Sequence, residues 1–355
     1  MTFTIGDLLV VLDKTILNPF VAVLLPAYLQ FCTDSKVTFV PHQNGLLYSI
    51  QGSIPRPLLG SLLLLVAGTT LRVNRFLSSR ALNNGVSAKF DWPKEVIVVT
   101  GGSGGIGGEA VKTLASRGST IVVLDVIPLT FSKPDNVHYY KCDLTNFEAV
   151  QAAAVKIAKE VGTPTCVVAN AGICRGNAIL NASKRDIELT FAVNNLGLLW
   201  TAKAFLPSMV EKNHGHFLII SSQTGYLATA GVVDYAASKA ATLNIFEGLQ
   251  TELKHVYKAP AIRVSCIAPS AVSTKMFAGI KAGSNFFMPR LTPESVGSLI
   301  AEVLWSGKSQ NLMTPAFAYI SVPTKVLPDW MRIGMQDGGA DVMSELKPHK
   351  PEGLD

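Results

Sequence analysis

The chain has 355 residues, of which 31 are lysine or arginine and 25 are aspartate or glutamate, so its formal net charge is +6. Charged residues make up 16% of the chain, below the roughly 25% usual for soluble domains, and hydrophobic residues make up 48%. This composition excludes a wholly disordered or low-complexity chain. Because the positive charge is spread along the sequence without interleaved aromatic residues, nucleic acid is not an expected partner.

The first ninety residues contain two mostly apolar stretches, residues 15–31 and 58–71. As a helix, the second would be about 21 Å long, whereas the core of a bilayer needs about 30 Å, so neither is predicted to cross a membrane as one straight span. Pro19 and Pro26 predict a kink in the first stretch. The extreme N-terminus has no basic region, so no cleavable signal peptide is expected.

Two interpretations of residues 1–90 stay open. Either they are membrane-associated, as an embedded hairpin or as one interfacial and one tilted helix, or they are buried helices of an N-terminal subdomain. Apolar stretches exposed to water would aggregate, which favours the membrane. By the positive-inside rule, the basic residues that follow the second stretch place the rest of the chain in the cytosol. These residues are Arg72, Arg75, Arg80, Lys89 and Lys94.

The cysteines fit a reducing compartment as well. They form no Cys-x-x-Cys pair and have no histidine at metal-binding spacing, so neither a disulfide framework nor a metal site is predicted. We expect small, buried hydrophobic side chains. The five are Cys32, Cys142, Cys166, Cys174 and Cys266.

From Glu95 onward, short apolar runs alternate with longer helical segments. The runs are apolar throughout, which is typical of parallel strands buried on both faces. This repeat predicts an α/β fold with a doubly wound parallel sheet, the Rossmann architecture. The predicted strands are 95–100, 120–125, 137–141, 166–169, 216–220 and 262–267, and the predicted helices are 106–116, 146–161, 186–213 and 235–257. The predicted organisation is a membrane-associated region at 1–90, a Rossmann domain at 91–310 and a tail at 311–355.

A glycine-rich turn, TGGSGGIGG at 100–108, follows the first of these strands. Gly101 permits a tight exit from the strand, Gly105 allows the backbone to approach a pyrophosphate, and Gly107 allows close packing of helix on strand. The helix that begins near Ile106 then directs unpaired N–H groups at phosphate. The turn therefore predicts a dinucleotide site.

Asp125 ends the second strand, about twenty residues after the glycines. Its carboxylate can accept hydrogen bonds from the ribose hydroxyls and would repel a 2′-phosphate. No arginine follows it, and Gly104 stands where a basic residue would help to bind that phosphate. NAD is therefore preferred over NADP, which stays possible; the alternative role of Asp125 is to cap a turn.

Tyr235 and Lys239, in YAASK, are four residues apart in a predicted helix, so both side chains lie on one face. A phenol has a pKa of about 10 and is a poor base unless nearby positive charge lowers it. Ser222 ends ISS thirteen residues earlier, where its hydroxyl can hold a substrate oxygen beside the phenol. Asn194 lies inside a predicted long helix, where asparagine is unfavourable, and its amide can bind a helix carbonyl or a water leading to Lys239.

With these motifs in their order, the chain resembles the short-chain dehydrogenase/reductase family over roughly residues 94–306. The similar segments are TGGSGGIG, CDLT at 142–145, ANAG at 169–172, VNNLG at 193–197, ISS at 220–222, YAASK at 235–239 and PSAVST at 269–274. Two departures stand out: Ser270 replaces the family's usual glycine, and Ala169 replaces a frequent asparagine. Neither removes a catalytic group.

The resemblance implies roles for individual residues. Tyr235 would act as general base or acid, Ser222 would position the substrate oxygen, and Lys239 would bind the nicotinamide ribose and lower the pKa of Tyr235. Asn194 would sustain a proton relay through water. The implied cofactor-binding residues are Gly101, Ser103, Gly105, Ile106, Gly107, Asp125, Asp143, Leu144, Asn170, Tyr235, Lys239, Val272 and Thr274.

An apolar N-terminus ahead of this domain is similar to membrane-bound retinol and 17-beta-hydroxysteroid dehydrogenases. That resemblance implies NAD(P)-dependent interconversion of an alcohol and a carbonyl on a lipophilic retinoid, steroid or fatty substrate. It also implies endoplasmic reticulum or lipid-droplet membranes, with the catalytic domain facing the cytosol. The alternatives are an enzyme of polyketide or terpenoid biosynthesis and a catalytically idle cofactor-binding scaffold, against which the complete Asn, Ser, Tyr and Lys set argues.

Three further expectations concern partners and access to the site. Helices near 186–213 and 235–257 can pair in a homodimer, by analogy with relatives. The segment at 275–290, with Met276, Phe277, Phe286, Phe287 and Met288, is predicted to be a lid over a lipophilic substrate or an ordinary packed helix pair. The tail from Pro315 is predicted to touch the bilayer or a partner subunit.

Overall fold

The computed structural model describes residues 4–32, 38–41, 48–51, 56–281, 283–349 and 353. The chain divides into two compact units, Met1–Arg80 and Ala81–Asp355. We call the second the sheet unit. The limits predicted for the Rossmann domain, residues 91–310, remain a proposal.

The first unit consists mostly of helices with apolar surfaces. Its elements are α1 (Ile5–Lys14), α2 (Pro19–Ala22), α3 (Leu24–Cys32), the antiparallel strands β1 (Thr38–Pro41) and β2 (Tyr48–Gln51), and α4 (Arg56–Leu82), which continues two residues past the unit's end. A Cβ atom at Gly68 of α4 would lie 2.3 Å from the Leu17 carbonyl oxygen, so only glycine allows this approach. Arg75 and Asp13 form an ion pair at 2.8 Å.

The prediction that the second apolar stretch is too short to span a membrane was wrong. The helix does not end with the apolar run at Leu71 but continues to Leu82, which makes it 27 residues long. At 1.5 Å per residue this corresponds to about 40 Å. Among the described residues, α4 alone is long and apolar enough to cross a bilayer by itself, and α1 with Pro19–Leu29 qualifies only as a pair bent by 57°. The predicted break in the first stretch is thus present, just before Pro19.

The sheet unit contains a parallel seven-stranded sheet in the order β5-β4-β3-β6-β7-β8-β9. This confirms the predicted fold class. Its strands are β3 (Val96–Thr100), β4 (Thr120–Asp125), β5 (Val137–Lys141), β6 (Cys166–Ala169), β7 (His216–Ile220), β8 (Arg263–Pro269) and β9 (Asn311–Thr314). The last strand was not predicted, and it lies beyond residue 310.

Helices cover both faces of the sheet. They are α5 (Gly105–Ala115), α6 (Phe147–Glu160), α7 (Lys184–Phe191), α8 (Gly197–Lys212), α9 (Val233–His255) and α10 (Pro293–Trp305), followed by α11 (Asp329–Gly338) in the tail. The helix predicted at 186–213 is two helices joined by a π-helical turn at Ala192–Leu196.

Successive residues of the central strands pack into opposite cores. Val98 faces the core that contains Phe205 and Phe246, whereas Val99 faces the core that contains Ile300. Because both faces are covered, these strands have no polar face, which explains their uninterrupted apolar sequence. The parallel strands also bring all their carboxyl ends to one edge, where the predicted site residues follow them.

The segment that enters the sheet unit is fixed at the opposite edge. Arg263 at the start of β8 is buried and donates hydrogen bonds to the carbonyl oxygens of Asn83 and Val86. The Asn83 side chain exchanges two further hydrogen bonds with the Ser309 backbone. These two bonds compensate part of the cost of burying the charge, whereas Arg263 Nε is buried without a hydrogen-bond partner among the described residues.

The cysteines that the structure describes agree with the prediction made for them. Cys142, Cys166, Cys174 and Cys266 are free and buried. The side chain of Cys32 lies outside the described residues.

Candidate active site

The glycine-rich turn has the conformation expected of a phosphate cradle. Gly101 and Gly105 have φ of +63° and +54°, which side-chain-bearing residues rarely adopt. A Cβ at Gly107 would lie 2.1 Å from the Gly101 carbonyl oxygen. Helix α5 begins at Gly105 without a side-chain cap, so its first N–H groups are available to a ligand, and Ile106 in this turn packs against the core.

Asn170 fixes the exit of this turn from β3. Its side-chain amide donates to the carbonyl oxygens of Thr100 and Gly101 at 3.1 and 3.0 Å. Its backbone N–H donates to the Thr100 hydroxyl at 3.1 Å. The amide that was predicted to contact cofactor therefore shapes the cradle itself.

Asp125 and Ser103 join the glycine turn to the loop after β4. The Ser103 N–H donates to Asp125 Oδ2 at 2.9 Å, and the Ile127 N–H donates to Oδ1 at 3.3 Å. The Ser103 hydroxyl donates to the Ile127 carbonyl at 2.8 Å. Asp125 thus caps a turn, but each carboxylate oxygen keeps a further lone pair with which to accept a hydroxyl.

Two predicted adenine-side residues lie after β5. Asp143 Oδ1 accepts hydrogen bonds from the N–H and the hydroxyl of Thr145, at 2.9 and 2.8 Å. Leu144 is buried and packs into the core. The Asp143 carboxylate therefore orders its own loop.

Tyr235 and Lys239 occupy one face of α9, and both are buried. Lys239 Nζ lies 5.8 Å from the centre of the Tyr235 ring and donates to the Ile220 carbonyl at 3.0 Å. Burial lowers the pKa of Lys239 from 10.5 to about 8. Burial also raises the pKa of Tyr235, and a hydrogen bond with Ser222 only partly opposes that effect. The side chains around Tyr235 therefore do not by themselves lower the pKa of the phenol, as the sequence had led us to expect.

Ser222 is held where β7 ends. Its hydroxyl oxygen accepts hydrogen bonds from the N–H and the hydroxyl of Thr224 at 3.2 and 3.0 Å. These bonds hold the Ser222 hydroxyl in place, and Ser222 is close enough to Tyr235 to lower the pKa of the phenol.

Asn194 lies in the π-helical turn, which accommodates a residue that disfavours regular helix. Its amide oxygen accepts from the Ile173 N–H at 2.8 Å, and its amide nitrogen donates to the Ile173 carbonyl at 3.0 Å and to the Ser238 hydroxyl at 2.9 Å. The side chain of Asn194 was predicted to bind a helix carbonyl or a water, and the carbonyl that it binds belongs to Ile173 in a loop. Asn194, Ile220 and Lys239 line a cavity of about 10 Å³, roughly enough for one water.

The segment after β8 returns to the glycine turn. Val272 is buried and pairs with Leu291 in an isolated bridge. The Thr274 methyl group would lie 4.0 Å from a Cβ at Gly105. Both residues therefore lie at the edge that carries the cradle and Tyr235.

The surroundings of Tyr235 were only partly predicted. Phe277 contacts its ring edge-on at 5.6 Å between centroids, and Met276 packs against the same cluster, so both the lid and the ordinary packing predicted for this segment stay open. Phe286 and Phe287 instead contact each other, and Phe287 contacts Phe317. The sequence contains no signal for the buried residues that complete this cluster, which are Cys174, Val232, Ile280 and Leu346.

Comparisons with known proteins agree with this geometry. The family model described as short chain dehydrogenase matches residues 95–285. Dehydrogenase RED2 of Cochliobolus heterostrophus is 39% identical over 198 residues, covering 55% of this chain and 75% of that protein. Epidermal retinol dehydrogenase 2 of Homo sapiens is 31% identical over 248 residues, covering 66% and 78%. The crystal structure of serine dehydrogenase from Escherichia coli superposes with a TM-score of 0.53 at 26% identity, covering 62% of this chain and 96% of that one.

Proposed function

Because the chain belongs to the short-chain dehydrogenase family, we propose that this NAD(P)-dependent oxidoreductase interconverts an alcohol and a carbonyl on a lipophilic substrate, with Tyr235 exchanging the proton. One observation carries the proposal. The buried Tyr235 lies on the same face of α9 as Lys239, whose Nζ is 5.8 Å from the centre of the ring, at the sheet edge that also carries the glycine cradle. Ser222 is close enough to lower the pKa of the phenol, against the larger effect of burial. The relatives named as retinol dehydrogenases support a lipophilic substrate, as does the apolar cluster around Tyr235.

The residues present fit a dinucleotide. The space beside Gly107 that a Cβ would fill, the left-handed Gly105 and the uncapped start of α5 suit a pyrophosphate. Thr274 and Lys239 would face the nicotinamide end, and Asp125 the adenosine ribose. When bound, NAD(P) supplies the donor or acceptor of hydride. We expect Gly107→Ala to abolish dinucleotide binding, since its methyl group would overlap the Gly101 carbonyl.

The chain's own groups handle the proton. In carbonyl reduction, the protonated Tyr235 phenol donates to the substrate oxygen while Ser222 holds that oxygen. In alcohol oxidation, the phenolate must be stabilised against burial by the Ser222 hydrogen bond and by the positive charge of Lys239. We propose that Asn194 keeps a water in the small cavity beside Lys239, through which the proton reaches solvent.

We propose NAD as the preferred cofactor. The Asp125 carboxylate stands at the end of β4, where a 2′-phosphate would meet its negative charge. Initial rates with NADH and NADPH, compared at equal concentration, test this preference.

We also propose that the enzyme is membrane-associated, at the endoplasmic reticulum or lipid droplets, with the sheet unit in the cytosol. Exposed apolar side chains on α4 support a bilayer, and Arg72, Arg75 and Arg80 after its apolar part support the orientation. Carbonate washing and protease protection test these two statements. A homodimer through α8 and α9 is proposed by analogy, and analytical ultracentrifugation in detergent tests it.

The decisive experiment is a substrate screen with the purified, detergent-solubilised chain. It includes retinoid, steroid, fatty, terpenoid and polyketide alcohols and ketones, and it follows the nicotinamide absorbance. Turnover that disappears in Tyr235→Phe while dinucleotide binding persists supports the proposal. Undiminished turnover in that variant would refute the role of Tyr235.

A further inference from the structure

The end of the described chain packs against the proposed proton donor. Residues Ala340–His349, which we call the C-terminal strap, follow α11 and run across the carboxyl edge of the sheet. Leu346 of the strap is buried in one cluster with Cys174, Tyr235 and Ile280. These residues come from three other parts of the sheet unit, so the strap closes a cluster that the remaining chain leaves incomplete.

Three glycines form the groove that holds the strap. Gly176, Gly231 and Gly279 belong to three separate loops, and their φ angles are +72°, +85° and +90°. A Cβ at Gly279 would lie 2.1 Å from the Glu345 carbonyl oxygen, and one at Gly176 would lie 3.0 Å from a methyl carbon of Leu346. Glycine at these positions therefore permits both the backbone turn and the close approach of the strap.

Backbone hydrogen bonds hold the strap to two of these loops. The Lys281 N–H donates to the Val342 carbonyl at 3.1 Å, and the Lys347 N–H donates to the Ala278 carbonyl at 3.0 Å. The His349 N–H donates to the Arg175 carbonyl at 3.1 Å. Lys281 and Glu345 also form an ion pair at 3.4 Å, so three backbone hydrogen bonds and one partly exposed ion pair attach the strap, without the continuous ladders of the core strands.

The strap shares a buried cluster with Tyr235. Tyr235 is only 5% exposed, whereas a reacting substrate must approach to about 3–3.5 Å. Two segments share the cluster around Tyr235 and are candidates to move when substrate enters: the one that carries Phe277, which contacts the Tyr235 ring, and the strap with Leu346. The strap is the one attached through few backbone hydrogen bonds, whereas α9 and β8 are fixed in the core. We propose that the C-terminal strap is an occluding segment that opens to admit substrate, and that Leu346 and Met343 contact the substrate and select its shape. The kind of substrate admitted rests on the proposed function, whereas the opening of the strap does not.

Thiol labelling measures the opening without any substrate. Cys174 is buried in the same cluster as Leu346, and burial raises the pKa of its thiol to about 12, so it reacts only when the cluster opens. Cys166 in β6 is equally buried but lies in the sheet, so it reports global unfolding. The probe is N-ethylmaleimide on the full-length protein, with the rate of each cysteine followed by peptide mass spectrometry.

Two variants displace the strap by different means. Gly279→Ala pushes against the Glu345 carbonyl, and its matched control is Gly118→Ala, which has a φ of +82° but no atom within 4 Å of the added methyl group. Leu346→Ala removes the buried side chain, and its control is Leu180→Ala, which is 95% exposed.

We expect Cys174 to be labelled at least about tenfold faster in either strap variant, equivalent to about 1.4 kcal/mol, with Cys166 and both controls unchanged. If the Gly279→Ala protein does not fold, the labelling rate of Cys174 in Leu346→Ala tests the proposal. The proposal is overturned if Cys174 keeps its wild-type rate in the strap variants, or if Cys166 accelerates in parallel.

An activity assay then separates this inference from the proposed function. The strap variants should shift kcat/KM toward bulkier alcohols by about tenfold relative to small ones, because the wall that Leu346 forms is removed. If Cys174 is labelled faster in the strap variants but the wild type turns over no alcohol, the proposed function is refuted and the opening of the strap is supported. If the wild type turns over an alcohol but the strap variants change neither the labelling of Cys174 nor the substrate preference, the opening of the strap is refuted and the proposed function is supported.

Discussion

Replacing Lys239 by methionine should stabilise the sheet unit at neutral pH and abolish turnover. The ammonium is buried, and its pKa falls from 10.5 to about 8 in the folded chain. At about 1.4 kcal/mol for each pH unit, that difference destabilises the folded state by about 3 kcal/mol at pH 7. Methionine has a similar length and carries no charge, so it removes this cost.

The gain is partly offset at Ile220. Its carbonyl loses the hydrogen bond from Lys239 Nζ, and an unpaired buried acceptor costs about 1–3 kcal/mol. The net stabilisation at pH 7 is therefore about 0–2 kcal/mol, the difference between these two opposing free energies. For domains of roughly 150–250 residues, each kcal/mol raises Tm by about 2–4 °C.

The pH dependence has a definite sign. Between about pH 8 and 10.5, the unfolded chain binds the Lys239 proton more tightly than the folded chain does, so wild-type stability rises through this window. The advantage of Lys239→Met is consequently full below pH 8 and fades toward pH 10.5. Lys308→Met, at an exposed lysine, is the matched control and should show no such dependence.

Thermal unfolding of the detergent-solubilised protein, followed by circular dichroism at several pH values, measures these differences. A Lys239→Met variant that is less stable than wild type at pH 7 would refute the reasoning. So would a stability gap that stays constant from pH 7 to 10.5.

Three other outcomes follow from the structure. Tyr235→Phe should reduce turnover by about 10²- to 10⁴-fold with dinucleotide binding intact by fluorescence titration; a loss of binding would show that the phenol acts structurally. Asp125→Asn should raise the ratio of kcat/KM with NADPH to that with NADH by about tenfold, since it removes the charge that opposes a 2′-phosphate; an unchanged ratio would leave Asp125 as a turn cap. Arg263→Leu should destabilise the sheet unit by about 2–4 kcal/mol, because the carbonyls of Asn83 and Val86 lose their donor. The prediction is contradicted if the amide hydrogens of residues 83–90 exchange at the wild-type rate in this variant.

The elements that the sequence predicted well are those whose identity depends on neighbours in the chain. The apolar runs at β3, β4, β6, β7 and β8 are long enough for their pattern to indicate burial on both faces. The missed strand β9 has four residues, NLMT, and too little apolar sequence to be distinguished from a loop.

Element ends were less predictable than element types. Helix α4 continues beyond its apolar run because the residues from Arg72 to Leu82 are compatible with a helix, although arginine, asparagine and serine interrupt their apolar side chains. The sequence placed Asn194 inside one long helix as an unfavourable residue. Only the structure shows that it lies in a π-helical turn, with its side-chain amide paired with the Ile173 backbone.

The glycine turn, the end of β4 at Asp125 and the four-residue spacing of Tyr235 and Lys239 are local features, so the amino-acid order alone determines them. Burial is not local. The pKa values of Tyr235 and Lys239 depend on how much water the surrounding segments exclude, and those segments meet only after the sheet has formed. Leu346 and Tyr235 lie in one buried cluster although more than a hundred residues separate them in the sequence. Loop closure over such a distance is decided by the packing of the whole unit, and no short pattern encodes it.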